Sequence, residues 1–182
     1  DDGGKLVVLE GIYSMLGDRA PLADFIDVKK KHGFQLLVDE AHSFGVLGSH
    51  GRGLADEAGL EDDVDFVVGT FSKSVGAIGG FGAGNHPLFE YLRYAMRPYM
   101  FTASSSPASI ATSIAAIRKL GAEPQRRTRL AENSARLFHG FKALGLELGC
   151  ERVSRVIAVR CPDEPSTIAM WNALLKSGVY VN

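Results

Sequence analysis

The sequence has little of what would settle a function class at once. Only two cysteines, Cys150 and Cys161, stand among 182 residues. They make neither a disulfide framework nor a Cys-x-x-Cys site, and they suit a reducing compartment such as the cytoplasm. No apolar run approaches the ~20 residues of a membrane span, and none reads as a signal peptide. Neither sign of charge dominates: 20 basic residues against 21 acidic ones leave a net charge of −1. That balance gives no electrostatic footprint for nucleic acid or for an anionic membrane surface. The GxxxxGK[ST] nucleotide loop is absent, and there is no internal repeat or low-complexity tract.

What is present fits an α/β protein. Hydrophobic content of 46% and charged content of 23% are ordinary for a soluble domain, and the length suits one domain or most of a larger subunit. The chain opens on Asp1-Asp2-Gly3-Gly4 without methionine, and Val179-Tyr180-Val181-Asn182 reads as a strand just begun. An internal piece of a longer polypeptide is expected.

In chain order, Lys5 to Glu10 reads as a strand. A helix opens at Pro21, runs through Leu22, Phe25, Ile26 and Lys29, and ends at His32-Gly33. Phe34 to Val38 is the next strand, which makes a βαβ unit and a parallel sheet. Gly45 to Gly53 is a glycine-punctuated loop, and Leu54 to Gly59 a helical turn. Val64 to Val68 reads as a buried parallel strand, and Gly80 to Gly84 as a weak one at an edge or bend. Asn85 and Pro87 open a helix carried by Leu88, Tyr91, Leu92, Ala95 and Met96 up to Arg97-Pro98. Met100 to Ser106 is extended. Pro107 to Leu120 reads as a buried helix through Ile110, Ala111, Ile114 and Ile117. Glu123 to Leu144 is a long amphipathic helix with Leu130, Leu137, Phe138 and Phe141 on one face. Val153 to Arg160 reads as a strand, and Ser166 to Lys176 as a helix with Trp171 and Leu174 inward. The change near Leu148 divides a large α/β domain (1–148, with its long helix) from the start of a small α+β domain (149–182).

Two stretches carry chemistry. Gly69-Thr70-Phe71-Ser72-Lys73-Ser74-Val75-Gly76 follows a strand, where open α/β sheets place their sites. A lysine there, among hydroxyls suited to phosphate oxygens, can act as an amine nucleophile; the plain alternative is a solvated surface lysine. Asp39-Glu40-Ala41-His42-Ser43 ends the preceding strand. A carboxylate buried there stays ionised only beside a cation, and a protonated pyridine nitrogen is such a cation. The plain alternatives are a capping aspartate and a satisfied core histidine. A metal site from Asp39, Glu40 and His42 lacks further ligands. The same Asp-Glu-Ala-His letters occur in one class of RNA helicases, with Phe101-Thr102-Ala103-Ser104 a faint echo of their next motif, but such a role leaves Lys73 idle.

These pieces together resemble the α-oxoamine synthases, pyridoxal 5'-phosphate enzymes of fold type I. The resemblance rests on Glu10-Gly11-Ile12-Tyr13-Ser14-Met15-Leu16-Gly17-Asp18 with Ala20-Pro21-Leu22, on Val38 to Ser43 with Gly48 to Gly53, and on Gly69 to Lys73 with Gly79-Gly80. It implies a large domain with a mostly parallel sheet and helices on both faces. It also implies that Lys73 holds the cofactor as an imine and then serves as base. Asp39 would pair with the pyridine nitrogen, His42 bond the phenolic oxygen, Thr70 and Ser72 hold the phosphate, and Ser14 lie near the ring. Thr102 would reach the phosphate of a neighbouring subunit, so a homodimer with shared sites follows. Arg97 to Ser104 and Ile117 to Leu120 most resemble the branch that condenses L-serine with a long-chain acyl-CoA, with loss of carbon dioxide; sibling enzymes use glycine or alanine. The family's ring-stacking histidine and carboxylate-binding arginine would lie before residue 1 and after residue 182, so this stretch alone is expected to be inactive. A non-catalytic interaction subunit would be expected to lack Lys73.

Overall fold

The computed structural model describes residues 3–87 and 89–182. Strands β1 (Leu6–Glu10), β2 (Gln35–Asp39), β3 (Phe66–Thr70) and β4 (Gly80–Ala83) form one sheet in that order. The first three are parallel and β4 returns antiparallel to β3, so the expected mostly parallel sheet is observed. β4 is the glycine-weakened edge.

Helix α1 (Leu22–His32) completes the βαβ unit. Gly33 takes the left-handed conformation (φ 66°) that stops it, and its N–H donates to Lys29 O at 2.8 Å. Pro21 sits just before the helix rather than inside its first turn. Leu22 and Ile26 of α1 pack with Leu9, Ile12, Leu36, Val38, Leu47 and Leu54 into the main core, and α2 (Leu54–Ala58) closes that core. Asp65 ties these pieces together. It accepts the Leu36 N–H at 2.6 Å and pairs with Lys29 Nζ at 2.6 Å. Burial alone would raise its carboxyl, but Lys29 and the Leu36 N–H hold it below the ordinary range.

Several sequence expectations are corrected. β3 starts two residues later than expected, so Lys73 follows its end closely, and its residues are half-buried rather than buried. The helix expected up to Arg97-Pro98 is broken, and Leu88 lies outside the described residues. A 3₁₀ turn (Phe89–Tyr91) leads into α3 (Leu92–Ala95); Met96 is extended (φ −79°, ψ 102°), and α4 (Arg97–Met100) begins anew. Pro98 has no N–H to continue α3, yet it fits the first turn of α4. Met100 therefore ends a helix, and the irregular link starts after it.

Helix α5 (Pro107–Ala122) is capped by Ser106 Oγ, which accepts the Ser109 N–H at 3.2 Å. It is not buried: Ile110, Ile114 and Ile117 are 47%, 45% and 40% exposed. Helix α6 (Gln125–Ala143) buries Phe138 against Leu148 and Cys150, with Phe141 beside them, whereas Leu130 and Leu137 are exposed. Burial pushes the Cys150 thiol up. The strand expected at Val153 to Arg160 does not form. That segment keeps one bridge (Leu148 with Val159) and two short links, Gly149 N–H to Ala158 O and Arg160 N–H to Glu147 O, each 2.8 Å. A strand needs a ladder partner, and the described residues supply none beyond 147–149. In α7 (Glu164–Lys176) Leu174 is half-buried but Trp171 is exposed, and its indole N–H donates to Val181 O at 2.8 Å. The tail from Val179 is irregular, not a strand. Among the described residues no helix is long and apolar enough to cross a membrane.

Replacing Asp65 by alanine strands the Leu36 N–H and the Lys29 cation. A loss of ~1–3 kcal/mol is expected in urea unfolding at neutral pH. Because the folded carboxyl lies below its ordinary value, its contribution is present above that value and is lost as pH falls through the folded one. The gap between wild type and Asp65→Ala should therefore close in acid.

Candidate functional site

The carboxyl ends of the parallel strands meet in register: Asp39 lies between Glu10 and Val68. Asp39 is half-buried, and its Oδ1 accepts the Ala41 N–H at 2.8 Å. That two-residue turn is what aspartate favours. It bends the chain so that His42 comes back over the strand ends. Burial and three charged groups then act on one imidazole. Burial lowers the His42 pKa most, and the Lys73 ammonium lowers it further; Glu10 and Asp39 pull it up. Lys73, Asp39 and Glu10 thus lie close enough to His42 to act on its charge.

Lys73 itself is exposed, at the tip of the β3–β4 turn. The turn is held by Phe71 N–H to Gly79 O at 2.9 Å and Ala77 N–H to Phe71 O at 2.8 Å. Val75, 5% exposed, anchors it inward. Gly45 lets the His42 loop pack against it: a Cβ there would lie 2.7 Å from Ser74 Oγ, and the backbone is left-handed (φ 76°). Thr70 Oγ1 lies 2.8 Å from Ser72 Oγ and accepts the Ser72 N–H at 3.2 Å. Two hydroxyls therefore sit side by side at the strand end, as an anion would require.

The remaining expected residues are placed less centrally. Ser14 is exposed and its N–H donates to Glu10 Oε2 at 3.3 Å, so it borders the same carboxylate cluster. Thr102 is exposed in the link between α4 and α5 and makes no hydrogen bond to the lysine turn among the described residues. Ser105 comes nearer instead. With Ser109, Ser113, Phe71 and Ile78 it lines a hollow of about 190 Å³ beside the turn. A larger hollow, about 810 Å³, is bordered by Leu16 to Pro21 and Gly149 to Ser154 and contains none of the expected residues.

The sequence pattern assigns Glu10 no role of its own and offers Glu40 only as a metal ligand that lacks companions. Glu10 acts on His42 from the neighbouring strand. Glu40 is fully buried: its carboxylate accepts the Leu54 N–H at 2.9 Å, the Ala55 N–H at 3.1 Å and the Ser43 hydroxyl. The alternation of β2 was the available signal. Leu36 and Val38 point into the core, so Glu40 continues the inward row. The donor set fits a ligand with an anionic group at Thr70 and Ser72, a cationic ring at Asp39, and a carbonyl within reach of Lys73.

The family model described as aminotransferase class I and II matches residues 1–182. The chain is 53% identical over 180 residues to a serine palmitoyltransferase of Caulobacter vibrioides, covering 99% of this chain and 44% of that protein. It is 37% identical over 178 residues to an 8-amino-7-oxononanoate synthase of Alkaliphilus metalliredigens, covering 98% and 45%. Among solved structures it superposes on a serine palmitoyltransferase variant from S. paucimobilis with a bound PLP–myriocin aldimine. There the TM-score is 0.96 at 53% identity, covering 100% of this chain and 47% of that one. The chain spans less than half the length of these relatives.

Burial is the main cause that holds the His42 pKa down, and Lys73→Met should raise it by removing the neighbouring cation. Histidine NMR titration reads this directly. The sign for stability follows: the fold favours neutral His42, so below the ordinary value the unfolded chain takes up a proton that the folded ring resists. Stability should fall there as pH drops, and less steeply in Lys73→Met. An unmoved His42 titration would show that the two side chains are not in electrostatic contact.

Proposed function

Because the chain belongs to the aminotransferase class I and II family, we propose that its site holds pyridoxal 5'-phosphate, and that the protein condenses L-serine with a long-chain acyl-CoA as a serine palmitoyltransferase. The observation that carries this reading is the convergence of Lys73, Asp39 and Glu10 on the His42 ring, with the Thr70 and Ser72 hydroxyls alongside. The 53% identity to a serine palmitoyltransferase supports the choice of reaction. When bound, pyridoxal phosphate supplies an electron sink for charge developing at the substrate α-carbon.

The chain's own residues do the rest. Asp39 commits Oδ1 to the Ala41 N–H and leaves Oδ2 for the protonated ring nitrogen. His42, kept neutral near physiological pH by burial and by Lys73, donates an N–H to the phenolic oxygen. Thr70 and Ser72 hold the phosphate. Ser14, tethered to Glu10, lies at the edge of the ring. Lys73, exposed and unencumbered by packing, is the point of covalent attachment and then the base that takes a proton from the α-carbon. Thr102, exposed in the link between α4 and α5, reaches the phosphate of a second copy, which makes the working unit a homodimer with shared sites. Residues 1–148 serve as part of the large cofactor-binding domain and 149–182 as the start of a smaller one.

The identity to an 8-amino-7-oxononanoate synthase favours a second reading, a synthase using glycine or alanine with the same residues. The helicase reading of Asp39 to His42 does not survive the family match.

The test uses the full-length protein. Adding pyridoxal phosphate should produce a visible absorption band that Lys73→Ala lacks, and the variant should lose ~10³-fold or more of its condensation rate. L-serine should shift the band of the wild type. A shift with glycine or alanine and none with serine would favour the second reading; a folded wild type with no band would sink both.

A further inference from the structure

Glu40 lies next to both proposed cofactor ligands, yet its side chain is 0% exposed and points away from them into the core. Its contacts are unusually complete. The two carboxylate oxygens accept the first N–H groups of α2, from Leu54 and Ala55, and the hydroxyl of the fully buried Ser43. Its own N–H donates to Val68 O of β3 at 2.8 Å, and its carbonyl accepts the N–H groups of Ser43 and Phe44. Two glycines wall it in. A Cβ at Gly11 would fall 2.2 Å from Oε2, and one at Gly53 2.3 Å from Cδ. One side chain therefore joins the bend after β1, the end of β2, the turn bearing His42 and the start of α2.

We propose that Glu40 is a positioning residue. Its buried carboxylate fixes the Asp39–His42 turn over the strand ends, so that cofactor affinity and the environment of His42 depend on a group that touches neither. Only the identity of the cofactor rests on the reading given above. A carboxylate is needed for a simple reason: both oxygens face N–H donors, so an isosteric amide would turn its own NH₂ against one of them. With glycine backbones on both sides, the side chain has no second place to go. The turn must move instead.

His42 separates positioning from plain loss of stability. The charges acting on its ring are those of Lys73, Glu10 and Asp39, so a change at Glu40 reaches the ring through its position. Burial is the main cause of its lowered pKa, and a loosened turn should let that value rise toward the ordinary one.

The experiment compares Glu40→Gln and Ser43→Ala with wild type in the full-length protein. It reads pyridoxal phosphate affinity by absorbance titration, His42 by NMR titration without cofactor, and thermal midpoint. Glu40→Gln should weaken cofactor binding on the order of tenfold and raise the His42 pKa; Ser43→Ala should do the same in the range of ~2–5-fold. Folded variants with affinity within about twofold of wild type and an unmoved His42 titration would overturn the proposal, whatever their midpoints. If Glu40→Gln does not fold, Ser43→Ala decides by the same readings. If the wild type itself binds no pyridoxal phosphate, the proposed function fails, and the cofactor-free His42 titration still decides for or against Glu40.

Discussion

A carboxylate removed from water must find its hydrogen bonds within the protein or lose its charge. Glu40 meets this with two backbone N–H groups and a hydroxyl, and still burial leaves its pKa raised above the ordinary range. Three features of the fold follow from that one requirement. Helix α2 must begin where its free N–H groups can reach the end of β2. The chain must carry no side chain at Gly11 or Gly53, and Ser43 must be buried. Strand alternation does the rest: with Glu40 fixed inward, Asp39 is fixed on the other side, facing the site. Asp56 of α2 repeats the device with the loop that precedes it. Its carboxylate, 3% exposed, accepts the N–H groups of His50 and Arg52 at 2.9 and 3.1 Å. Burial works against its ionisation, but those donors hold its pKa below the ordinary range.

The site and its support are therefore electrostatically unlike. Glu40 and Asp56 face dense, fixed donors, and little about them can adjust. Lys73 and Ser72 are exposed on a turn whose backbone is held at its base, and their side chains are free to meet a ligand. His42 lies between the two regimes, half-buried, with two carboxylates raising its pKa against an ammonium and burial that lower it. A small displacement there changes its protonation more than a similar displacement of an exposed group would, because the charges act through a less screened medium.

Residues 5–70 were the most legible part of the fold. Pro21, Gly33 and the apolar spacing between them marked α1, and the strands on either side alternate or run apolar as parallel strands do. The lysine turn and the Asp39–His42 turn were visible because their residue types are chemically unusual at strand ends. Past residue 85 the local signals misled. Met96-Arg97-Pro98 interrupts a good apolar period with a proline that suits the start of a helix as well as the end of one. Ile110, Ile114 and Ile117 make a stripe that sequence reads as core, yet it borders a shallow hollow. Val153 to Arg160 has strand composition, but pairing is a property of two segments, and composition reports on one. Glu40 was hidden for a different reason: an acidic residue is expected at the surface, so the strand period that points it inward carried too little weight.

The β3–β4 turn also has an entropic consequence. Residues 71–79 bridge two antiparallel strands that pair from Val67 with Ala83 to Thr70 with Gly80. Closing so short a loop costs little chain entropy, whereas bringing Asp39 beside Val68 closes a loop several times longer. The Lys73 turn is thus held by contacts local in sequence, whereas its approach to Asp39 and His42 depends on pairing that is not. Whatever loosens the parallel pairing would therefore part Asp39 and His42 from Lys73, so the site depends on the least local contacts of the sheet.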